Sequence, residues 1–297
     1  MTYSIVARDP VTGALGVAVQ SCIFAVGTIV PWARPGVGAV ARQAISEAAY
    51  GPRCLDALAA GARAPAALAA ATAADPAAFL RQVGVVAADG TVAAMTGEKC
   101  VPHAGHLLGD GFVVQANMAA SPRVWPAMAE AFSAATASFP RRLLAALNAG
   151  QAAGGDARGR MAAALLVVAG QPCAPWAGRL TDLRVDRSDD PLRDLARLLD
   201  ASEAFDRFNR GVGALFAGDA EAALLDVEQA LAALPAEENL RFLRAGALLA
   251  RGDLDGGRAE LRSLVATRPT WEIIIRGFVA KGLLPLPPTA PLDALLA

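Results

Sequence analysis

Short apolar runs, rich in β-branched residues, alternate with alanine-rich stretches over the first two thirds of the chain. Residues Tyr3 to Ala7 and the run ALGVAVQS flank the turn segment RDPVTG, which predicts a β-hairpin. Shorter strands are predicted in TIV and GVGAVARQ, followed by two helices between Pro52 and Ala74. A second hairpin is predicted in QVGVVAADGTVAAMTG, where Asp-Gly forms the turn, and GFVVQANMA predicts the next strand.

Two more helices are predicted at about residues 122–136 and 140–151, followed by two closing strands in MAAALLVVAG and DLRVD. The predicted order is thus ββββ-αα-βββ-αα-ββ, ending near Arg187. Strands in runs and helices in pairs differ from the βαβ alternation of a parallel sheet. The order therefore favours an α+β fold in which helix pairs cover antiparallel sheets, and strands buried on both faces account for the nearly continuous apolar runs.

After DRSDDP the pattern changes to charged, leucine-rich amphipathic helix with an internal repeat. The residues that recur 34 positions later are Phe208 as Phe242, Arg210 as Arg244, Gly218-Asp219 as Gly252-Asp253, and Pro235 as Pro269. A period of about 34 with a tight turn and a closing proline is the tetratricopeptide signature. We therefore predict a domain at residues 1–187, a linker helix at 188–202, tetratricopeptide-like helical repeats at 203–283 and a proline-rich tail at 284–297.

Two repeat copies are fewer than the three that such arrays usually need for stability. The helix at about Leu192 to Leu199 and the segment TWEIIIRGFVAKG are candidates to cap them. The repeats are otherwise expected to pack on the first domain or on a second subunit. We therefore predict a homo-oligomer. Binding of a different protein through residues 203–283 is the alternative role of the repeats.

Charge and cysteine placement exclude several kinds of partner. Lys and Arg total 27 against 28 Asp and Glu, without long runs of one sign, so nucleic acid is not an expected partner. The four cysteines are dispersed, which predicts neither a disulfide framework nor a zinc site and favours a cytoplasmic protein. The uncharged stretch 15–33 contains Gly27 and Pro31, so it predicts buried strands rather than a membrane span, and no basic segment precedes it as in a signal peptide.

No cofactor is predicted from the remaining motifs. His103 and His106 lie in a segment rich in proline and glycine without a fixed carboxylate partner, so we predict no metal site there. No phosphate-binding glycine motif is present in the sequence.

Thr2 directly precedes the first predicted strand. A threonine hydroxyl is a weak nucleophile until a base removes its proton, and one possible base is the residue's own α-amino group. A free α-amine has a pKa of about 7.7 to 8.0, so part of it is unprotonated near neutral pH. This chemistry requires removal of Met1.

Five segments of the chain together resemble an uncharacterised bacterial family, of the domain-of-unknown-function type, assigned to the N-terminal nucleophile (Ntn) hydrolase superfamily. They cover about residues 2–187 and are TYSIVARDPVTGALGVAVQS, VPWARPGVGAV, AAYGPRCLDAL, VQANM and LNAGQAAGGDARGR. The resemblance implies a four-layer αββα sandwich of antiparallel sheets, as in proteasome β-subunits and penicillin acylases. It also implies hydrolysis of an amide-like bond through an acyl-enzyme.

The resemblance also implies roles for individual residues. Thr2 matches the nucleophile, and Asp156 falls where proteasome subunits keep an aspartate near the threonine amine. Ser21 falls near a position at which those subunits have an acidic residue. The catalytic lysine of the proteasome has no counterpart, since the chain's only lysines are Lys99 and Lys281.

Donors for a developing oxyanion are expected near the end of the fourth strand and in the strand GFVVQANMA. The candidates are backbone N–H groups near Gln43 and the side chain of Asn117. Arg42 stands where the family is expected to have a small or polar residue, so Gln43 and Arg42 are the candidate substrate-binding residues. Each of these candidates also has a purely structural explanation. It is a solvated terminal residue for Thr2, a turn aspartate for Asp156, a hydrogen-bonding residue at a strand end for Asn117, and satisfaction of buried backbone groups for Ser21 and Gln43.

We therefore expect an Ntn-type amidohydrolase that cleaves a small amide C–N bond through an acyl-enzyme on Thr2, without a cofactor. The alternative is a non-catalytic protein of the same fold whose helical repeats mediate binding or self-association.

Overall fold

The computed structural model describes residues 2–45, 47–174 and 176–284, and the chain divides into two compact units, residues 1–199 and 200–297. Met1 lies outside the described residues, as does the predicted tail apart from Leu284. The first unit contains two antiparallel β-sheets and the helices that cover them, as expected for an α+β fold.

The larger sheet has six strands in the spatial order β10-β9-β2-β1-β8-β7. Their bounds are β1 Thr2–Arg8, β2 Leu15–Ser21, β7 Gly105–Gly109, β8 Phe112–Asn117, β9 Ala162–Val168 and β10 Arg179–Val185. The first strand is central, with Thr2 opposite Ser21 on one side and opposite Asn117 on the other. The predicted terminal hairpin is confirmed, and it places the start of β1 between the ends of two neighbouring strands.

The smaller sheet has four strands in the order β3-β4-β5-β6. Their bounds are β3 Pro31–Arg34, β4 Gly38–Ala44, β5 Arg81–Ala87 and β6 Val92–Thr96. Gln43 in β4 lies opposite Gln82 in β5, which lies opposite Thr96 in β6. The register therefore places polar residues of three adjacent strands side by side.

Three apolar clusters show that the sheets lie face to face between two layers of helices. The helices are α1 Tyr50–Ala59, α2 Ala64–Ala73, α3 Val124–Ala134, α4 Phe139–Ala152 and the long α5 Pro191–Phe216. Val6, Val17 and Val86 pack between the sheets. Helices α1 and α2 cover the smaller sheet, while α3, α4 and the beginning of α5 cover the larger one. Strands β1, β2 and β8 are thus buried on both faces.

Two elements of the first unit differ from the sequence-based expectation. Residues 105–109, expected to lie in a loop, form strand β7, which pairs with β8 across a two-residue Asp110-Gly111 turn. Glycines at both ends of β7 hide its alternation, although Asp-Gly with a positive φ at Gly111 is a common hairpin turn. The strand expected at residues 28–30 instead begins at Pro31, on a sheet edge where a residue without an N–H group is tolerated.

The second unit contains α6 Ala220–Ala233, α7 Glu238–Arg251, α8 Leu254–Thr267 and α9 Trp271–Ala280, together with the last part of α5. Helix α5 runs without a break through residues 202 and 203, where the sequence was divided into linker and repeats. The 34-residue period recurs in the contacts: Arg210 pairs with Asp226 at 2.9 Å, and Arg244 pairs with Glu260 at 2.9 Å.

The same period recurs in the turns that start α6 and α8. Gly218 and Gly252 both have positive φ values, and each is followed by an aspartate N-cap. The carboxylate of Asp219 accepts from the N–H of Ala222 at 3.0 Å, and that of Asp253 accepts from the N–H of Gly256 at 2.9 Å. The repeat is therefore structural as well as sequential.

Loss of either cap should destabilise the second unit. We expect Asp219→Ala and Asp253→Ala each to lower its unfolding free energy by about 1 kcal/mol, because an N–H group in the first helical turn loses its acceptor. Chemical denaturation followed by circular dichroism measures the change. The control is Asp255→Ala, an exposed residue in the first turn of α8, and an equal loss there would contradict the capping argument.

None of the helices within the described residues has both the length and the apolar character that crossing a lipid bilayer requires. The uncharged stretch 15–33 forms β2, a short 3-10 helix at Val26–Thr28 and the first part of β3.

Candidate functional site

Polar side chains replace apolar ones at one end of the layer between the two sheets. Because side chains alternate along a strand, positions two residues apart share a face. Val6, Val86 and Val113 pack between the sheets. Polar residues that lie an even number of positions from residues of this layer in the same strand therefore also face the space between the sheets. They are Thr2 and Ser4 in β1, Ser21 in β2, Gln43 in β4, Gln82 in β5, Thr96 in β6, and Gln115 and Asn117 in β8.

Thr2 lies in the middle of this polar end and is 4 % exposed. Its hydroxyl lies 3.1 Å from the Ser21 hydroxyl, and either group can donate the hydrogen bond. Its carbonyl oxygen accepts from Gln43 Nε2 at 2.9 Å. The smaller sheet therefore holds the main chain of Thr2 through Gln43, and the neighbouring strand β2 holds its side chain through Ser21.

Two carboxamides lie beside Thr2 and both donate to Gln82. Gln43 Nε2 and Asn117 Nδ2 approach Gln82 Oε1 at 2.8 and 2.9 Å. Gln43 commits its two N–H hydrogens to Thr2 and Gln82, and its Oε1 accepts from Ser4 at 2.7 Å. Asn117 commits one hydrogen to Gln82 and carries a second. Of these two side chains, Asn117 is thus the one with a donor left for a ligand.

Asp156 lies against the ends of both strands that flank Thr2. Its carboxylate accepts from the N–H of Cys22, the residue after Ser21, at 3.0 Å. Its backbone also forms a bridge with Ala119, just beyond the end of β8. The Asp156 side chain is fully buried and pairs with Arg158, whose Nη2 lies 3.3 Å away. A negative charge is thereby fixed at the end of the sheet where β1 begins.

Glycines 154 and 155 allow the chain to reach that place. Both have positive φ values, 126° and 57°, directly after α4 ends. A Cβ atom on Gly155 would lie 2.6 Å from the side-chain nitrogen of Gln151. The turn therefore requires glycine, and Asp156 is both a turn residue and part of the site.

Arg42 does not join this group. It is adjacent to Gln43 in β4, so its side chain lies on the opposite face, next to α1 rather than between the sheets. Its guanidinium carbon lies 5.9 Å from the centre of the Trp32 ring, and burial lowers its pKa. The structure brings Thr2, Ser21, Gln43, Asn117 and Asp156 together and places Arg42 outside.

Unusual backbone conformations flank two of the site residues. Ala44 follows Gln43 with a φ of 70°, and Met118 follows Asn117 with a φ of 49°. Such values are costly for residues with a Cβ atom and are concentrated at functional sites. Both outliers terminate strands directly after a carboxamide that lies beside Thr2.

His106 extends the polar network to β7. Its Nδ1 lies 2.8 Å from the Thr96 hydroxyl, which in turn accepts from Gln82 Nε2 at 2.9 Å. Either the Thr96 hydroxyl or Nδ1 can donate the hydrogen bond between them, depending on the tautomer of the ring. Burial also lowers the pKa of His106 below its ordinary 6.5.

The His106 pKa makes the stability of the first unit depend on pH. The folded-state pKa lies below the unfolded value, so the unfolded state binds more protons between the two. Stability is full above about pH 6.5 and falls as the pH drops from there towards the folded-state pKa. Urea unfolding at pH 7.5 and 5.5 should show this loss, and His106→Gln should reduce it while His103 is retained. An unchanged pH dependence in the variant would contradict the assignment.

Sequence reasoning missed Ser4, Gln82, Thr96 and Gln115, and it considered His106 only as a metal ligand. The available signal was spacing: Thr2 and Ser4, like Gln115 and Asn117, are polar residues two apart in apolar strands. Among the described residues, no group of three or more His, Cys, Asp or Glu side chains is arranged to hold a metal ion.

Taken together, the site offers a hydroxyl beside a second hydroxyl, an amide donor and a buried carboxylate. These groups can donate to and accept from a small polar ligand, and the Thr2 hydroxyl can act as a nucleophile if a base lies close to it.

Comparisons with known proteins place the first unit in a family. Residues 2–195 match the family model described as a family of unknown function (DUF1028). The solved structure of protein SPO2555 from Silicibacter pomeroyi, described with the same family model, is 33 % identical with a TM-score of 0.61. The match covers 67 % of this chain and 84 % of that one. The curated proteins include no match to this chain. Since the family model spans well over half of the sequence, the chain belongs to the DUF1028 family of unknown function.

Proposed function

We propose that this protein is an amidohydrolase that cleaves a small amide C–N bond through an acyl-enzyme on Thr2, after cleavage of the Met1–Thr2 bond. The observation that carries the proposal is the setting of Thr2 at the start of the central strand. Its hydroxyl lies 3.1 Å from that of Ser21, and the buried Asp156 carboxylate closes the same end of the sheet.

Cleavage of the Met1–Thr2 bond supplies the base. The free α-amine of Thr2, with a pKa of about 7.7 to 8.0, accepts the hydroxyl proton directly or through the Ser21 hydroxyl. The Thr2 oxygen attacks the carbonyl carbon of the substrate, and the C–N bond breaks as the leaving amine takes up the proton. Water, deprotonated by the same amine, then hydrolyses the ester on Thr2 and releases the acid. While Met1 remains attached, the Thr2 nitrogen is an amide and cannot serve as this base.

Three neighbouring groups support these steps. The second N–H hydrogen of Asn117 is a donor for the oxyanion that develops on the substrate carbonyl. Asp156 favours the protonated amine that forms during attack, because opposite charges attract strongly at a buried position. Gln43 holds the Thr2 carbonyl and thereby the strand end. Since the sequence has no lysine on these strands, the Thr2 amine itself acts as the general base.

The layered fold is consistent with this proposal. We infer that the helix-sheet-sheet-helix arrangement of the first unit is an Ntn-hydrolase sandwich, because a central strand begins with the candidate nucleophile, as the superfamily requires. We infer also that the second unit is tetratricopeptide-like, from the recurring Gly-Asp caps and Arg-acid pairs at 34-residue spacing.

The second candidate function is binding or self-association without catalysis. It is favoured by the 4 % exposure of Thr2, which keeps its hydroxyl from solvent in the uncleaved chain. In that case the helical repeats carry the function, and exposed apolar residues such as Phe216 and Ile273 are candidate contacts for a second copy or a protein partner.

A substrate screen separates the two. Purified protein lacking Met1 is incubated with small amides, ureides and N-acyl amino acids, and release of free amine is measured. The proposal predicts hydrolysis of at least one class by the wild-type protein and none by Thr2→Ala. Equal rates for both proteins would contradict it.

A further inference from the structure

The Gln82 side chain forms hydrogen bonds to strands of both sheets, which packing of the smaller sheet alone does not require. Its side chain is fully buried between the two sheets. Its hydrogen bonds reach Gln43 and Thr96 in its own sheet and Gly105, Ala116 and Asn117 in the opposite one. This single carboxamide therefore links β5 to four other strands.

The oxygen of Gln82 sets the orientation of both amides beside Thr2. Gln82 Oε1 accepts from Gln43 Nε2 at 2.8 Å and from Asn117 Nδ2 at 2.9 Å. A carbonyl oxygen has two lone pairs, so these bonds use its full accepting capacity. With one Gln43 hydrogen fixed on Gln82, the other points to the Thr2 carbonyl at 2.9 Å.

The nitrogen of Gln82 fixes the carboxamide itself. Nε2 faces the carbonyl oxygens of Ala116 and Gly105 at 2.8 and 3.1 Å and the Thr96 hydroxyl at 2.9 Å. A reversed amide would place its oxygen against two main-chain carbonyls, which repel it. The orientation is thus set by the backbone of β7 and β8.

We infer that Gln82 is a positioning residue for the chemistry of Thr2, acting through Gln43 and Asn117. Its carboxamide holds the Thr2 main chain in place by way of Gln43 and directs the remaining N–H of Asn117. This inference rests on the proposed function, because it assigns a role in a reaction at Thr2.

The test measures acylation of Thr2 in the full-length protein lacking Met1, using a β-lactone probe. The Thr2 oxygen attacks the lactone carbonyl, the ring C–O bond breaks, and the proton passes to the released alkoxide, so the adduct carries the whole mass of the lactone. In Gln82→Met, we expect the limiting labelling rate to fall roughly ten- to hundredfold, with the half-saturating lactone concentration nearly unchanged, because misplacement affects reaction more than binding.

The matched control is Gln20→Met. Gln20 is equally buried, but it lies in β2 on the face that packs against the helices, and neither of its amide atoms forms a hydrogen bond with another described residue. It should label near the wild-type rate.

The outcomes separate the inference from the proposed function. Equal limiting rates for Gln82→Met and the wild type would overturn the positioning role and leave catalysis by Thr2 in place. A wild-type protein that is not labelled at Thr2 would overturn both. If Gln82→Met does not fold, Gln82→Asn and Gln20→Asn replace the pair, and a selective fall in the limiting rate for Gln82→Asn supports the inference whereas equal rates refute it.

Discussion

Thr2→Ala should abolish covalent labelling at residue 2 and reduce amide hydrolysis by roughly 10⁴- to 10⁶-fold, the range found when a covalent nucleophile is removed. The variant loses one hydrogen bond, the one between the Thr2 and Ser21 hydroxyls, so its unfolding free energy should fall by only about 1 kcal/mol. Activity and stability are therefore expected to separate. Steady-state hydrolysis and thermal unfolding of the same preparations measure the two effects.

Two controls sharpen this result. Thr2→Ser keeps a hydroxyl beside the α-amine and should retain both labelling and hydrolysis. Thr12→Ala removes a threonine that contacts Asp9 in the turn at the opposite end of β1, and it should leave both unchanged. Hydrolysis by Thr2→Ala at the wild-type rate would show that the reaction does not depend on Thr2.

Asp156→Asn should have the second-largest effect, a loss of labelling rate of roughly ten- to hundredfold together with a loss of stability. The neutral amide no longer stabilises the protonated Thr2 amine. Its NH₂ group also faces donors, either the N–H of Cys22 or the Arg158 guanidinium. Losing charge-assisted hydrogen bonds at a buried position costs about 1.5 to 3 kcal/mol.

Asp9→Asn is the matched control for Asp156. The Asp9 carboxylate is also nearly buried, accepts from Thr12 and lies 3.6 Å from Arg142, but it is at the other end of β1. We expect Asp9→Asn to lower stability and leave the labelling rate intact. If both aspartate variants label equally slowly, Asp156 acts through general stability rather than through the amine.

Local patterns were sufficient to predict most of the first unit. Alternation and turn residues predicted the terminal hairpin, whose register in the structure places Thr2 opposite Ser21. The missed strand β7 shows the limit of this reasoning, because its residues pack at a sheet edge and its pattern is short. The dipeptide Asp110-Gly111 is nevertheless the same as Asp89-Gly90, which marked the hairpin that was recognised.

The site was only partly predictable, for a physical reason. Thr2 and Ser21 come together through a local hairpin, whereas Asn117 comes beside Thr2 because β1 also pairs with β8, a strand far along the chain. Gln43 and Gln82 reach them from the other sheet, and no local pattern determines how two sheets stack. Arg42 was expected beside Gln43 as a substrate-binding residue, but adjacent residues in a strand face opposite layers, so its side chain lies on the other face of β4. The match to DUF1028 confirms the family but leaves the superfamily and the reaction as proposals.

Intact and peptide mass spectrometry of protein treated with the β-lactone tests the central claim most directly. We expect a chain without Met1 that carries one adduct, located on the peptide that begins with Thr2, and no adduct on Thr2→Ala. A chain that lacks Met1 and carries no adduct on Thr2 would contradict the proposed role of Thr2.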